Sequence, residues 1–315
     1  MDGALIGRSY AKVRQENLPA LLVQRVTRAR CESTSNSDYI YQYIERDFLK
    51  YIRATKTETA VPHLSLNDIR QFPISISTPP EQTQIGAYFR ALDSLIELHQ
   101  RKHDKLVTLK KAMLQKMFPQ PGTTTPEIRF KGFSGDWVEK KLGEVGAFNP
   151  KEALPEVFEY VDLESVVGTE MVNYRTETRK TAPSRAQRLA RQGDLFFQTV
   201  RPYQKNNHLF TLPFTNYVFS TGYAQIRPFN DGSFLLGLMQ RDQFVKVVLD
   251  HCTGTSYPAI NANVLAEILV MIPKPAEQQK IGTYFRTLDE LISQHATQLQ
   301  KLQQIKSACL EKMFV

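Results

Sequence analysis

The sequence predicts an α+β protein in which globular mixed α/β segments alternate with two long helices. A stretch of 38 residues occurs twice, at 81–118 and 277–314, and 20 aligned positions are identical at a constant offset of 196. Both copies show helical spacing of apolar residues, whereas the chain before and between them has short strand-like runs and loops. A period this long excludes a solenoid of short repeats, so it indicates duplication of a domain together with its helix.

Each copy has the alternating spacing of 3 and 4 that is typical of a coiled-coil seam. The matched seams predict an intramolecular helix pair; the alternative is that each helix packs on its own domain. Polar seam positions set register and partner, and this role is preferred for the two histidines over metal binding. The predicted seam consists of Ile85, Tyr88, Leu92, Leu95, His99 and Leu106 in the first copy, and of Ile281, Tyr284, Leu288, Leu291, His295 and Leu302 in the second.

The composition limits the classes of protein to which the chain can belong. The chain has 315 residues, of which 42% are hydrophobic, enough for two ordinary domains with real cores. It has no run of 18 apolar residues and no signal-peptide pattern, which predicts a cytoplasmic protein without membrane contact. Three widely spaced cysteines, Cys31, Cys252 and Cys309, argue against a disulfide framework and a zinc knuckle, and no metal site is predicted.

The charge distribution favours an acidic binding partner, and nucleic acid is the first candidate. The formal net charge is +8 and the pI is about 9.3. Residues 170–208 contain eight basic and three acidic residues, which indicates a basic surface on an otherwise neutral segment.

The elements can be placed in order along the chain. The segments 38–52 and 234–249 read as amphipathic helices that correspond to each other in the repeat. A proline precedes each long helix, and an acidic residue in the first turn favours the helix dipole. The composition of residues 120–126 is that of a linker. Trp137 is predicted to be a core or lid residue.

Two kinds of DNA contact are predicted, because phosphate contacts supply affinity and base contacts supply sequence information. For phosphate contacts we select Arg175, Arg179, Lys180, Arg185, Arg188 and Lys205; the alternative is a solvated basic face. For base contacts we select Arg201, Tyr203, Gln204, Asn206 and Asn207; the alternative is an ordinary polar turn. A second candidate loop contains Thr253, Thr255, Ser256 and Tyr257, and it is equally compatible with a structural turn before Pro258.

Several motifs in a fixed order carry a resemblance to a known family. They are PPEQTQIGAYFRALDSLI and its repeat PAEQQKIGTYFRTLDELI, the segment PEIRFKGFSGDWVEKKLGEV, and the segments GDLFFQTVRPY and TGTSYPAINANVL. Together they resemble the specificity (S) subunits of type I restriction-modification systems over nearly all of the chain from about residue 38.

The resemblance implies a non-catalytic subunit. Two target recognition domains would lie at opposite ends of an antiparallel pair of coiled-coil helices, and each would read one half of a bipartite site in double-stranded DNA. Modification subunits would methylate adenine, and restriction subunits would complete the nuclease. S-adenosylmethionine, ATP and Mg are therefore expected on partner subunits, with no cofactor in this chain. The sequence agrees, because it has no adenine methyltransferase motif and no Walker A pattern.

The family pattern also implies a division of the chain. The expected segments are 1–78, a partial first recognition domain; 79–119, the first conserved-region helix; 120–126, the linker; 127–273, the second recognition domain; and 274–315, the second helix. Since residue 1 aligns inside the repeat, near residue 197, the first domain is expected to be truncated and to expose apolar side chains such as Ile40, Tyr41, Ile44 and Phe48.

Truncation leaves three outcomes open. The chain dimerises so that each copy reads a half-site, or it is inactive alone, or it derives from a silent cassette. A coiled-coil adaptor that reads no DNA is the alternative of another class. It would explain the helices but not the duplicated domain with its basic segment.

Overall fold

The chain folds into two units, each with its own core. The computed structural model describes residues 10–22, 26–55, 64–254 and 256–314. Unit 1 contains the described residues of Met1–Asp104 and Ser293–Val315, and unit 2 is Lys105–Ile292. Both long helices cross the boundary, so each contributes one part to each unit. The α+β class predicted from the sequence is confirmed.

The helices are α1 Ser37–Tyr43, α2 Leu49–Thr55, α3 Leu66–Arg70, α4 Pro79–Lys116, α5 Gly232–Met239, α6 Asp242–Asp250, α7 Ala262–Glu267 and α8 Pro275–Met313. The strands are β1 Val138–Lys141, β2 Gly146–Phe148, β3 Val157–Val161, β4 Val166–Val167, β5 Glu170–Met171, β6 Arg175–Thr178, β7 Ala186–Leu189, β8 Leu195–Gln198, β9 His208–Leu209, β10 Tyr217–Ser220, β11 Tyr223–Pro228 and β12 Leu269–Ile272.

The two long helices, α4 and α8, begin at the prolines that precede the repeated stretch. Each starts at a proline, which fits the first turn because its missing N–H would have no partner there. Glu81 and Glu277 lie in the first turns, at the positive end of the helix dipole. No helix in the described part of the chain combines the length and apolarity that crossing a bilayer requires.

The two helices pair in antiparallel fashion within each unit. In unit 1, the Tyr88 hydroxyl lies 3.5 Å from Cys309 Sγ, and further along α4 the Nδ1 atoms of His99 and His295 are 2.9 Å apart. In unit 2, Lys110 forms an ion pair with Asp289. Its counterpart at the offset of 196 is the pair of Lys306 with Asp93 in unit 1, at 2.8 Å. The pairing is therefore built from duplicated contacts.

One half of the predicted seam is displaced by one residue. Ile85, Leu92, Ile281 and Leu288 are buried as expected, and His99, Leu106, His295 and Leu302 are half-buried. Tyr88, Leu95 and Leu291, however, are exposed, and Tyr284 is only half-buried. The second row of the seam follows the first by four residues instead of three: it consists of Phe89, Ile96, His103 and Lys110, and of Phe285, Ile292, Leu299 and Lys306.

The globular part of unit 1 is helical and better packed than the sequence suggests. The predicted helix 38–52 is present as α1, a π-helical turn over Ile44–Phe48, and α2. Phe48 is buried with Ile52 and Leu64, so its predicted exposure was wrong. Ile40, Tyr41 and Ile44 are half-buried instead of exposed. Ile40 packs with the start of α4 and the end of α8, Tyr41 contacts Tyr10, and Ile44 packs with Phe48 and Ile52.

Unit 2 contains two four-stranded sheets. Their strand orders are β6-β3-β10-β7 and β2-β11-β8-β9. The inner faces meet through Phe196 and Phe219, whose rings stack with centroids 3.7 Å apart. A second core includes Trp137, which is buried against Phe118 and Phe234 and is therefore a core residue.

The end of each long helix is held by an arginine over a phenylalanine. In unit 2, the Arg241 guanidinium lies 5.1 Å from the ring centroid of Phe118 and donates to Pro119 O at 2.9 Å. In unit 1, Arg46 lies 5.5 Å from the ring centroid of Phe314, just beyond the end of α8. Both units therefore fix the end of one long helix in the same way.

Candidate nucleic-acid interface

Several loops of unit 2 meet at one end of the two sheets, which we call the loop end. The turn between β10 and β11 connects them: Thr221 N donates to Arg185 O at 2.8 Å, and Thr199 N donates to Gly222 O at 2.9 Å. The start of β7 and the chain after β8 therefore lie side by side. The residues selected for base contacts follow directly after β8.

The loop after β8 is held in an unusual backbone conformation. Pro202–Gln204 form one 3₁₀ turn, and the residues on either side, Arg201 and Lys205, have φ angles of 55° and 57°. The left-handed region is unfavourable for residues with a Cβ, by about 1 kcal/mol or more each. Such strain persists where the surroundings determine the conformation, and it clusters at functional sites.

The second candidate loop packs against the first. Arg201 N donates to Pro258 O at 2.8 Å, and an antiparallel bridge joins Val200 to Ala259. The Arg201 guanidinium lies 4.5 Å from the ring centroid of Tyr257, whose side chain is 64% exposed. The two loops therefore present one surface, formed by an arginine and a tyrosine that stabilise each other.

Other predicted residues of these loops are exposed or undescribed. Tyr203, Gln204, Thr253 and Ser256 are exposed, although Gln204 Oε1 also accepts a hydrogen bond from Gln198 Nε2 at 2.8 Å. Thr255 lies outside the described residues.

Three predicted contact residues instead hold the loop in place. Asn207 is 1% exposed, and its Oδ1 accepts from Gln198 N at 2.9 Å. Asn206 Oδ1 accepts from Gly168 N at 2.9 Å. Lys205 pairs with Asp242, and this pair lowers the pKa of the Asp242 carboxyl. Asn207 is too buried to reach a base edge, and the head groups of Lys205 and Asn206 are already engaged.

The sequence could not reveal the partners of these three residues. Asp242 and Gln240 anchor Lys205 from 35 or more residues further along the chain. The amide and lysine chemistry is the same for binding DNA and for bonding the protein itself, so only the fold distinguishes the two.

The basic residues Arg175, Arg185 and Arg188 differ in their ion-pair partners and in their burial. Arg175 is at the loop end but pairs with Asp162 at 2.8 Å and with Glu177 at 2.9 Å. Arg185 is exposed just before β7, with no ion-pair partner among the described residues. Arg188 is half-buried, burial lowers its pKa, and its Nε has no hydrogen-bond partner in the described part of the chain.

Arg179 and Lys180 lie at the opposite end of the sheet. Because β6 is antiparallel to β3, Arg175 is opposite Tyr160 at the loop end, whereas Arg179 N donates to Glu156 O before β3 begins. The Arg179 guanidinium also donates to Leu154 O. Residues that are close in sequence are thus separated by the length of a strand, so the basic segment does not form one continuous surface.

The family of the type I restriction modification DNA specificity domain matches residues 9–108 and 134–304. These residues are most of the chain. The chain belongs to this family. The repeat of a helix-bearing unit, the antiparallel pairing and the loop end described above are thus features of a family member.

Individual relatives are distant. The type I restriction enzyme HindI specificity subunit of Haemophilus influenzae is 25% identical over 193 residues, which are 57% of this chain and 41% of that protein. The chain thus matches less than half of the length of this curated relative.

Solved structures show the same fold. The S subunit of a type I restriction-modification system from M. genitalium aligns with a TM-score of 0.59 at 17% identity, covering 88% of this chain and 72% of that one. A chain from a study of complex assembly and conformational transition of the type I R-M system aligns with a TM-score of 0.51 at 20% identity, covering 89% and 71%.

Proposed function

We propose that this chain is the DNA-reading subunit of a type I restriction-modification complex and performs no chemistry itself. The proposal rests on the surface that Arg201 and Tyr257 form together. The loop that contains Arg201 has a strained backbone and is held in place by hydrogen bonds to its neighbours. Arginine can donate two hydrogen bonds to a guanine edge in the major groove. Tyr203 and Gln204 are exposed on the same turn, and Arg185 is near enough to contact the flanking phosphates.

In this proposal the catalytic steps belong to partner subunits. Modification subunits would bind S-adenosylmethionine and methylate adenine, and restriction subunits would use ATP and Mg. This chain would contribute sequence recognition and attachment surfaces. The described residues contain no group of three His, Cys, Asp or Glu side chains that could hold a metal ion.

The exposed rows of the long helices support attachment of the modification subunits. Leu95 and Ile305 in unit 1 are each at least 40% exposed, and their counterparts Leu291 and Leu109 repeat the row in unit 2. Because the row is duplicated at the offset of 196, it fits a partner that binds twice through apolar helix surface. We therefore propose that two modification subunits bind these rows.

The attachment surface can be tested separately from DNA reading. The double variant Leu95→Asp/Ile305→Asp should lose co-purification with the modification subunit. Ser94→Asp, an exposed position about 100° around α4 from Leu95, should retain it. Equal recovery of the partner with both variants would rule out this surface.

Adenine methylation across the genome tests the DNA-reading proposal. The full chain would be co-expressed with its modification subunit, and methyladenine would be mapped by sequencing. We expect a bipartite motif, and we expect Arg201→Ala to lose or relax one half of it. The control Arg179→Ala, at the opposite end of the sheet, should leave the motif unchanged.

The same map distinguishes the remaining alternatives. A palindromic motif would indicate two copies of the chain, each contributing the loop end of unit 2. If the partner co-purifies but methylation does not depend on this chain, the adaptor function replaces DNA reading.

A further inference from the structure

The repeat allows the two units to be compared position by position at the start of each long helix. In unit 2, the start of α8 is covered by the segment 127–141. Arg129 of this segment forms two hydrogen bonds with the Glu277 carboxylate, at 2.7 and 2.8 Å. The ring of Phe130 packs on Tyr284 with centroids 5.8 Å apart, and β1 at the end of the segment pairs with β12.

These contacts bury Glu277 and Ile272 and half-bury Tyr284. Glu277 is 2% exposed and Ile272, on the strand that β1 covers, is 5% exposed. The Glu277 carboxylate raises the pKa of Arg129, as expected for a close ion pair. Removing one partner of such a buried pair leaves an uncompensated charge.

The same receptor is present in unit 1, where no segment among the described residues covers it in this way. The positions equivalent to Glu277, Ile272 and Tyr284 are Glu81, Ile76 and Tyr88. Glu81 is exposed, Ile76 is 57% exposed and Tyr88 is 43% exposed. With Tyr39 and Phe314 they line an open cavity of about 720 Å³, which we call the unit 1 groove.

The groove retains the chemistry that holds the segment in unit 2. It offers a carboxylate for an arginine, a tyrosine face for an aromatic ring, and the backbone of 73–76 for a strand. In the described part of the protein, 73–76 belongs to no strand, although Ser75 O accepts a hydrogen bond from the Tyr39 hydroxyl at 2.9 Å, whereas the equivalent residues form β12. A segment outside any strand ladder, beside an apolar groove, can accept an added strand.

We propose that the unit 1 groove is a docking site for a peptide segment with the chemistry of residues 127–141. The segment has an arginine for Glu81, an aromatic residue directly after it for Tyr88, and a strand that pairs with 73–76. A second copy of this chain is a poor source, because its own segment already covers Glu277 and Tyr284.

A synthetic peptide with the sequence of residues 126–142 tests this proposal on the full chain. It would carry a fluorophore at its C-terminus, and binding would be measured by anisotropy. We expect saturable binding. Glu81→Gln in the protein, or replacement of the arginine in the peptide by alanine, should each weaken the affinity roughly 10-fold or more, since each leaves a charge unpaired. Glu97→Gln, an exposed glutamate on the same helix, is the matched control.

Charge reversal provides a test that loss of folding cannot mimic. The variant Glu81→Arg should bind the original peptide poorly and should regain affinity for a peptide with glutamate in place of the arginine. A photo-crosslinker at the phenylalanine should label residues around Tyr88 in unit 1.

Three results would overturn the proposal: no saturable binding, equal binding to Glu81→Gln and Glu97→Gln, or labelling around Tyr284, which would mean exchange with the segment already bound in unit 2. A dimer of the chain that Ile76→Asp disrupts would also overturn it, since a second copy would then be the occupant. The assay measures neither DNA binding nor methylation, so its failure leaves the proposed function unaffected.

Discussion

His99 and His295 meet in unit 1 with their Nδ1 atoms 2.9 Å apart, so one imidazole must donate and the other must accept. Burial lowers the pKa of His295, and the neighbouring His99, Lys102 and His103 lower it further. A pKa below its unfolded value means that protons bind the unfolded state more tightly. Stability from this site is therefore present above the ordinary histidine pKa of about 6.5 and is lost as the pH falls below it.

We predict that acid destabilises the helix pair of unit 1 through these histidines. The thermal midpoint of the wild type should fall between pH 7.5 and 5.5. The double variant His99→Leu/His295→Leu should show a smaller fall, because leucine does not titrate. His251→Gln, a histidine in unit 2, serves as the control. An equal pH dependence in all three proteins would contradict the prediction.

The surroundings of Arg241 predict an effect on stability when this single residue is replaced. Burial lowers its pKa to about 10, so it remains charged at neutral pH. It stacks over Phe118 and donates to Pro119 O and to Gln243 Oε1. We expect Arg241→Ala to reduce the free energy of unfolding by about 2–3 kcal/mol, from lost hydrogen bonds to a charged group and lost cation–π contact. Urea denaturation would measure it. An effect no larger than that of Arg286→Ala, an exposed arginine on α8, would contradict this role.

At the scale of elements, the sequence predicted the long helices and their pairing but not which row faces the partner. Leu95 and Ile96 are both apolar, and so are Tyr88 and Phe89, so spacings of 3 and 4 fit either neighbour. Each helix therefore carries two adjacent candidates for the second row of the seam. The fold turns the row that ends in Lys110 or Lys306 toward the other helix, where these lysines form ion pairs, and it leaves Leu95 and Leu291 of the other row exposed.

Two glycines mark where a short helix meets a long one. A Cβ on Gly282 would lie 1.9 Å from Asp231 Oδ1, and one on Gly86 would lie 2.7 Å from Asn36 Oδ1. Asp231 and Asn36 are the N-caps of α5 and α1, and their side chains accept backbone hydrogen bonds there. The same close approach is therefore built into both units.

We predict that Gly282→Ala destabilises the protein although alanine is the better helix former. Helix propensity alone would stabilise by roughly 1 kcal/mol. The clash displaces the Asp231 cap, whose loss costs about 1 kcal/mol, and adds strain, so we expect a net loss of about 2 kcal/mol or more. Calorimetry of Gly282→Ala, with the exposed control Thr283→Ala, would show whether the free energy of unfolding falls or rises. A stabilised Gly282→Ala variant would show that Gly282 and Asp231 do not lie in close contact.

For the whole molecule, the family and the α+β architecture could be predicted from the repeat, because duplicated motifs are visible without a fold. The DNA surface could be predicted only in part. The sequence indicates the loop after β8 and the loop containing Tyr257 only as separate candidates, and the fold brings them together. The sequence also suggests one basic surface, which the fold divides. Strand reversal puts Arg179 and Arg175 at opposite ends, and acidic partners engage Arg175, neither of which composition can show.

The salt dependence of DNA binding should reflect this geometry and not the formal charge of +8. Six phosphate contacts, as the sequence suggests, would give a slope of about −5 in a plot of log affinity against log salt. The described structure leaves Arg185 and Arg188 at or near the loop end without carboxylate partners, and Arg201 is assigned to a base edge, which predicts a slope of about −2. Anisotropy titrations with duplex DNA containing the mapped motif, at several salt concentrations, would measure it.

Matched variants then separate local binding from general charge. Arg185→Gln/Arg188→Gln should make the slope shallower by about 2, whereas Arg179→Gln/Lys180→Gln removes the same charge at the opposite end and should leave it unchanged. Both pairs lower the net charge equally, so general attraction to the DNA polyanion would reduce the two slopes alike. Only contacts confined to the loop end make them differ, and equal slopes would therefore exclude this surface as the place where DNA is bound.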